Sequence, residues 1–534
     1  MSESVVPMAG RGRWWALAAL ALSGLVVGID ATVLNLALPT LATSLRASTP
    51  ELQWFVDAYS LAMAAMLLPA GLLGDRFGRK RLLLCALVAF SAASLASAYA
   101  PTSGWLIASR AVLGLAAAFI IPLSLSVLTV LFTDEERPKA ITALVAMTIV
   151  AFPIGPILGG WLLTNYWWGS VFLINVPVVV IALIAVGVLL PESRSEERPG
   201  VDVIGIGLSS AGLVCFTYGV IEAGQSGWLM PRTMAFTLGG ALLVAAFVAW
   251  ELRHTTAGAQ PLIELGLFQS PGFTWGTILV TVVQFAMFGL LFTLPQYFQA
   301  VGGIDALGTG LRLLPMVLGL IAGAVIANKL GASSGEGGEE PAEPRGNAKL
   351  TVAVGFLLIA AGLGLGATTS VTSGYGLAAV WIVLVGAGLG FAMPAAMSAA
   401  LGALTKERSG VGSALIQAIR QVGGTFGVAV LGSVINWAYR ARVSVDGFPA
   451  GAAVAVRGSA SAGVAVAHQL GSDTLLLAVR TAFVEAMDVM LWLCAGIAIV
   501  GTALTLRFLP AGPASAKMEV NEEAGSEDGV GVSG

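Results

Sequence analysis

Gly71-Leu72-Leu73-Gly74-Asp75-Arg76-Phe77-Gly78-Arg79-Lys80-Arg81 ends one long apolar run and begins the next. Small residues, one acid and a cluster of bases fall within a few positions of a hydrophobic boundary. The stretch reads as a tight turn between two membrane-spanning helices, held by charge. On both sides of it apolar runs of about 18–25 residues recur, each long enough to cross a hydrocarbon core about 30 Å thick.

The whole chain follows that pattern. Of 534 residues, 57% are hydrophobic and only 11% charged, against about 25% charged in soluble domains. The expected class is an all-α polytopic membrane protein. A β-barrel would show short alternating segments, and these runs are continuous. Apolar runs fall at 14–36, 55–74, 82–100, 105–131, 139–163, 170–190, 203–222, 233–251, 273–298, 309–329, 350–368, 377–402, 413–438 and 481–508, which predicts fourteen helices. The opening run follows Arg11 and Arg13 but continues past Asp30 without a cleavage site, so it reads as a retained first helix.

Lys and Arg sort to one side of these spans. Arg11, Arg13, Arg76, Arg79, Lys80, Arg81, Arg137, Lys139, Arg194, Arg198, Arg253, Lys329, Arg345, Lys349, Lys406, Arg408, Arg507 and Lys517 share the side of the N-terminus. Arg46, Arg232, Arg440, Arg442, Arg457 and Arg480 fall on the other, mostly in one long loop. Positive charge marks the cytoplasm, so both termini are expected inside, in a plasma membrane protein.

The expected organisation is a cytoplasmic N-terminus (1–13), a six-helix bundle (14–190), an inserted helix pair (203–251) and a second six-helix bundle (273–508). The segment 330–349 reads as a flexible linker, 439–480 as a long external loop with a short helix or hairpin, and 511–534 as a disordered tail. Ala324–Gly331 echoes Gly71–Gly78, with Asn328 at the place of Asp75; paired halves of this kind are common among secondary transporters.

Several chemistries find no support. There is no Gly-x-x-x-x-Gly-Lys-Ser/Thr phosphate loop, so transport would have to draw on an ion gradient. His254 and His468 sit alone in polar connections, and Cys85, Cys215 and Cys494 lie in separate apolar runs. No metal site, cofactor or disulfide is expected, and a net charge of −3 gives no footing for nucleic acid.

The candidate site residues are polar groups inside the spans. Asp30 lies deep in the first, where an acid costs at least about 2.5–3.5 kcal/mol, so it reads as a proton or cation site, or as a carboxylate bonded to Thr32, Asn35 or a neighbouring helix. Arg110, in the fourth span, needs an acidic or carbonyl partner, and Asp30 matches its depth. Asp57, at the start of the second span beside Trp54 and Tyr59, is either a substrate contact or an acid favoured by the helix dipole. Glu485 and Asp488 stand about one turn apart near the start of the last span, either in a site or solvated at the interface. Arg420 either snorkels or gates. Gln284 and Phe288 belong to an aromatic and Met-rich stripe that suits either a core or an adaptable cavity. Gly155, Pro156, Gly159 and Gly160 suit close helix approach and bending in the fifth span.

These motifs together resemble the fourteen-span drug:proton antiporter branch of the major facilitator superfamily. Gly71 to Arg81 is similar to its loop motif, with Asp75, Arg76, Gly78, Arg79 and Lys80 in place. Arg110 and Gly114 match its fourth-helix motif, although Leu113 and Ala116 replace the usual Gln and Gly. Gly155-Pro156-Ile157-Leu158-Gly159-Gly160 matches its fifth-helix motif, with Ala151 for the leading Gly. Asp30-Ala31-Thr32-Val33 through Pro39 matches its first-helix signature, and Trp54, Asp57 and Gly169 to Pro177 look like the exporters of quaternary ammonium compounds.

The resemblance implies two six-helix bundles plus two inserted helices, working as a monomer that exchanges protons for lipophilic, often cationic, small molecules. Asp30 and Arg110 would couple protons. Asp57, Trp54, Tyr59, Gln284, Phe288, Glu485 and Asp488 would meet substrate, and the 71–81 loop and the fifth helix would switch conformation. The 309–329 span carries no acid, unlike some multidrug members. The rivals are an exporter dedicated to one metabolite, antibiotic or lipid, and, more remotely, a membrane-embedded enzyme or receptor, for which no catalytic constellation is found.

Overall fold

The computed structural model describes residues 12–133, 136–194, 202–256, 263, 265–332, 348–404, 409–445 and 447–510. The N-terminal segment before Gly12, most of the expected linker 330–349 and the tail 511–534 lie outside the described residues.

Every regular element among them is helical. The first half holds α1 (Gly12–Ser44), α2 (Thr49–Phe77), α3 (Arg79–Ala98), α4 (Ser103–Leu131), α5 (Arg137–Asn165), α6 (Ser170–Leu173) and α7 (Asn175–Leu189). Then come α8 (Val203–Ser226) and α9 (Pro231–Thr256). The second half holds α10 (Pro271–Gln296), α11 (Ala306–Ala332), α12 (Ala348–Gly366), α13 (Tyr375–Leu401), α14 (Ser409–Arg442), the short α15 (Ala450–Gly458) and α16 (Ala460–Gln469), and α17 (Asp473–Phe508). Thirteen helical stretches among the described residues are long and apolar enough to cross a membrane. The 29-residue α5 completes fourteen crossings.

Local chemistry explains the breaks. The sixth crossing is split into α6 and α7 because Pro177 has no N–H for the carbonyl of Leu173, four residues back. At Gly78 the chain turns with φ +107°, a conformation that a residue with a Cβ rarely adopts. That lets α3 begin one residue after α2 ends. By contrast, Pro153 and Pro156 lie within an unbroken α5. The loop expected at 439–480 is shorter: α14 continues to Arg442 and α17 starts at Asp473. Helices carry Arg440, Arg442 and Arg480 past the apolar segments, which hydropathy alone does not follow. Between them α15 and α16 pack together as a small helical hairpin.

Packing divides the crossings into two bundles and a pair. In the first bundle α1 packs on α5 and α7, α2 on α4, and α3 on α4 and α7. In the second, α13 packs on α10, α11 and α12, and α14 and α17 on one another. The inserted pair, α8 and α9, packs together, and α8 lies against both α14 and α2.

The start of α1, the end of α17 and the 71–81 loop share one face of the molecule, called here the basic face. The bundles meet through α1–α10, α2–α14 and α5–α11. Near the opposite face they are tied together. Gln299 Nε2 donates to Leu36 O at 3.0 Å, Thr49 Oγ1 donates to Gly458 O at 3.1 Å, and Gln53 Nε2 donates to Val428 O and Ala429 O at 3.1 and 2.9 Å. Small residues make these approaches possible: a Cβ on Gly160 would stand 2.7 Å from the backbone of Ala306 and Leu307 in α11.

Candidate functional site

Asp30 and Arg110 meet in the interior of the first bundle. Arg110 Nη1 lies 2.5 Å from Asp30 Oδ2, and each side chain is only 1% exposed. A carboxylate and a guanidinium in such surroundings are tolerable only if the remaining polar atoms are also satisfied. They are: Arg110 Nε donates to the Phe55 carbonyl at 3.1 Å, and Asn175 Nδ2 donates to Asp30 Oδ1 at 2.9 Å. Asn175 also reaches Ser94 Oγ at 3.0 Å, and Ser94 Oγ donates to Phe172 O at 2.9 Å.

The Arg110 guanidinium carbon sits 4.4 Å from the centre of the Tyr59 ring, a cation–π contact in a dry setting. Tyr59 is therefore a neighbour of the Asp30 site rather than of Asp57. Its hydroxyl is buried and makes no hydrogen bond. Gly114, one turn along α4 from Arg110, lets α4 press on α2, since a Cβ there would be 2.1 Å from the Tyr59 carbonyl oxygen. The fourth-helix motif thus has a physical basis: its arginine reaches across and its glycine removes the bulk in the way.

Asp57 stands apart. It is fully buried, with both carboxylate oxygens lacking a hydrogen-bond partner. On α2, Phe55 and Tyr59 face α4, whereas Gln53 faces α14 and Trp54 packs on Tyr218 of α8, ring centres 6.2 Å apart. At about 100° per residue, Asp57 projects between Gln53 and Trp54, on the side of α2 away from Arg110. Asp30 and Asp57 thus lie on opposite sides of α2.

Of the other expected substrate contacts, Gln284 and Phe288 are buried on α10 and pack against α14, where a Cβ on Gly424 would meet both within 3.5 Å. Glu485 is 52% exposed and pairs with Arg442 at 3.3 Å near the opposite face, while Asp488 Oδ1 is buried and unpaired. The structure does not bring these two to the Asp30 cluster. Arg420, half-buried on α14, also lies in the second half.

In the 71–81 loop, Arg79 grips Asp75 through Nε at 2.9 Å and Nη2 at 2.8 Å. Asp75, able to cap or to pair with bases on neighbouring helices, pairs with the first residue of α3 across the Gly78 turn. The neighbour that does reach the loop is the segment after α7. Glu192 Oε1 accepts from Lys80 N at 3.2 Å, and Ser193 O accepts from Arg79 N at 2.9 Å. Gly74 packs against Leu123 of α4, but nothing lies within 4 Å of a Cβ built on Gly71. Gly71, half-buried, has open space beside it rather than a close helix contact. Arg76 is exposed beside Phe77.

In α5 the expected close approaches occur on two sides. A Cβ on Gly155 would strike Thr32 of α1, one on Gly159 would crowd Val33, and Gly160 faces α11. The Pro156 carbonyl lies 2.3 Å from the Cβ position of Gly310 in α11. The fifth helix is thus wedged between α1, which carries Asp30, and the second bundle.

Sequence reading passed over Ser94, Glu192 and Gln53, and gave Asn175 no role of its own. Asn175 is a polar amide in an apolar run, the same signal that marked Asp30, whereas Ser94 is one of three serines, with Ser91 and Ser97, and did not stand out. Glu192, in a polar connection, gave none.

The comparisons agree with this architecture. The Major Facilitator Superfamily model matches residues 20–428, and the chain belongs to that family of membrane transporters. Among curated proteins it is 32% identical over 511 residues to the tetracenomycin C resistance and export protein of Streptomyces glaucescens, covering 93% of this chain and 92% of the relative. It is also 32% identical over 465 residues to the multidrug efflux pump LfrA of Mycolicibacterium smegmatis, covering 86% and 88%. A third relative, the methyl viologen resistance protein SmvA of Salmonella typhimurium, is 30% identical over 504 residues, covering 90% and 94%. Among solved structures, a bacterial homolog of the human lysosomal transporter Spinster superposes with a TM-score of 0.66 at 15% identity, covering 94% of this chain and 98% of that one.

Proposed function

We propose that the protein exports lipophilic, often cationic, small molecules in exchange for protons, by alternating access between its two bundles. The observation that carries this reading is the sealed Asp30–Arg110–Asn175 cluster. A titratable carboxylate deep in a bilayer protein is costly to place and marks a functional site by default. Protonating Asp30 would remove the charge that holds Arg110, so proton binding and helix packing around α4 are linked. Substrate and proton then compete through reciprocal coupling.

In this reading the basic face is cytoplasmic, both termini are inside the cell, and the protein acts as a monomer in the plasma membrane. Trp54, Asp57, Gln284, Phe288 and Asp488 are assigned to the substrate path, with Glu485 at its rim. The 71–81 loop with Glu192, and α5 through Gly155, Pro156, Gly159 and Gly160, are assigned to switching. The bundles are placed at 14–190 and 273–508, with 203–251 inserted.

The relatives support drug export, and their names also support a second reading, since one exports tetracenomycin C. A dedicated exporter of a single aromatic product would use the same fold. Expression in an efflux-deficient host, challenged with dyes, quaternary ammonium compounds, a viologen and aromatic polyketides, separates the two. Raised tolerance across several classes is expected. A response to one compound only would establish the dedicated exporter, and no response to any would overturn the export reading.

A further inference from the structure

The inserted pair has unequal ties to the two bundles. Three side chains of α14 donate to backbone carbonyls of α8: Ser433 Oγ to Val220 at 3.0 Å, Asn436 Nδ2 to Gly224 at 3.0 Å and Arg440 Nη1 to Gln225 at 3.2 Å. Gly224 brings the helices together, since a Cβ there would lie 2.6 Å from Ser433. Phe216 and Phe426 add a ring contact at 5.3 Å. Against α2 the described residues show the Trp54–Tyr218 ring contact and an apolar patch in which Trp54 joins Val220 and Ile221 together with Ala429 and Val430 of α14. Among the described residues no hydrogen bond or ion pair joins α8 to α2. Both chain connections of the pair to the bundles leave from the basic face, which leaves its other end free to follow either bundle.

Beneath this seam lies polar chemistry that the Asp30 cluster does not use. Asp57 is three positions past Trp54. Thr217 is three before Val220, and Thr425 is four before Ala429, the α14 residue that accepts from Gln53. Each is therefore one turn nearer the basic face than the Trp54, Val220 and Ala429 contact layer. All three are fully buried, with both Asp57 oxygens and Thr217 Oγ1 unpaired. A carboxyl group with no partner in so dry a setting is costly to keep charged, so this buried layer suits a carboxyl that meets its proton or a cation only when a wall moves.

We propose that α8 and α9 travel with the second bundle as its fixed extension, and that separation of α2 from α8 and α14 exposes Asp57 toward the opposite face. The inserted pair is then a moving wall of the transport path. This rests on alternating access, not on any particular cargo.

The test is a pair of disulfide staples in a variant with Cys85, Cys215 and Cys494 replaced by serine, whose unstapled efflux is measured first. The export reading fails only if the wild-type protein exports none of the compounds in the panel; where the wild type is active and the serine parent is silent, alanine replaces serine at the buried Cys494. One staple joins α8 to α14 (Val220→Cys with Ser433→Cys); the other joins α8 to α2 (Tyr218→Cys with Trp54→Cys). Because Trp54 is assigned to the substrate path, each oxidised variant is scored against the reduced form of the same double-cysteine variant, with oxidation followed by gel shift. The α8–α14 staple is expected to keep at least half of its reduced form's efflux, and the α8–α2 staple to lower it at least tenfold, with recovery on reduction showing that the protein is folded. An active α8–α2 staple, or an α8–α14 staple that blocks efflux reversibly, would overturn the proposal.

Discussion

Replacing Arg110 with Met removes the cation from the most enclosed part of the first bundle while keeping a long apolar side chain. Asp30 then keeps Asn175 as its hydrogen-bond donor but loses the guanidinium at 2.5 Å, and the Phe55 carbonyl loses its donor at 3.1 Å. Breaking one side of a buried pair costs about 3–5 kcal/mol, because a charge is left without compensation. That corresponds to roughly a hundredfold or more in the unfolding equilibrium.

Neutralising both partners leaves no such charge, so Asp30→Asn with Arg110→Met should regain at least about 2 kcal/mol of the loss. Asn at position 30 can still accept from Asn175, which keeps the second hydrogen bond. Steric trapping of the four variants in bicelles, read as unfolding free energies, gives the coupling directly. If Arg110→Met is no less stable than the double variant, the pair does not hold the bundle together and the electrostatic reasoning fails.

Other substitutions probe the moving parts. Asp75→Asn should lower transport several-fold with near-normal expression, since it loosens the Arg79 clamp without touching the core; full activity would make the loop a simple turn. Gly114→Val drives a side chain into the Tyr59 backbone within one bundle, so it should cost about 1–3 kcal/mol or more in stability, read as detergent melting and yield. Gly160→Val meets α11 across the two bundles. Its folding should survive while transport falls, and equal loss of yield in both variants would contradict that distinction.

Composition and hydropathy made the fold legible, because in lipid the backbone must satisfy itself and leaves the helix as the natural crossing element. The Asp30–Arg110 pair was legible for the same reason: two charges at like depth in apolar runs require one another. What the one-dimensional pattern did not carry was azimuth. Nothing in the sequence told which way Asp57 points; its angle on α2 turns it to α8 and α14, set by which residues face α4. Glu192 was missed because polar connections give no periodic signal, and its role arises only where the chain returns to the 71–81 loop. Asp488 and Glu485, adjacent on a helix wheel, part company at the surface, where Arg442 at the end of α14 takes Glu485.

Proton coupling through Asp30 is the central claim, and everted membrane vesicles test it most directly. With an imposed pH gradient and a fluorescent cationic dye as cargo, the wild-type protein should accumulate dye as long as the gradient lasts. Asp30→Asn should still bind the dye but lose the gradient-driven component at least tenfold. Gradient-driven accumulation at the wild-type rate in Asp30→Asn would contradict the account.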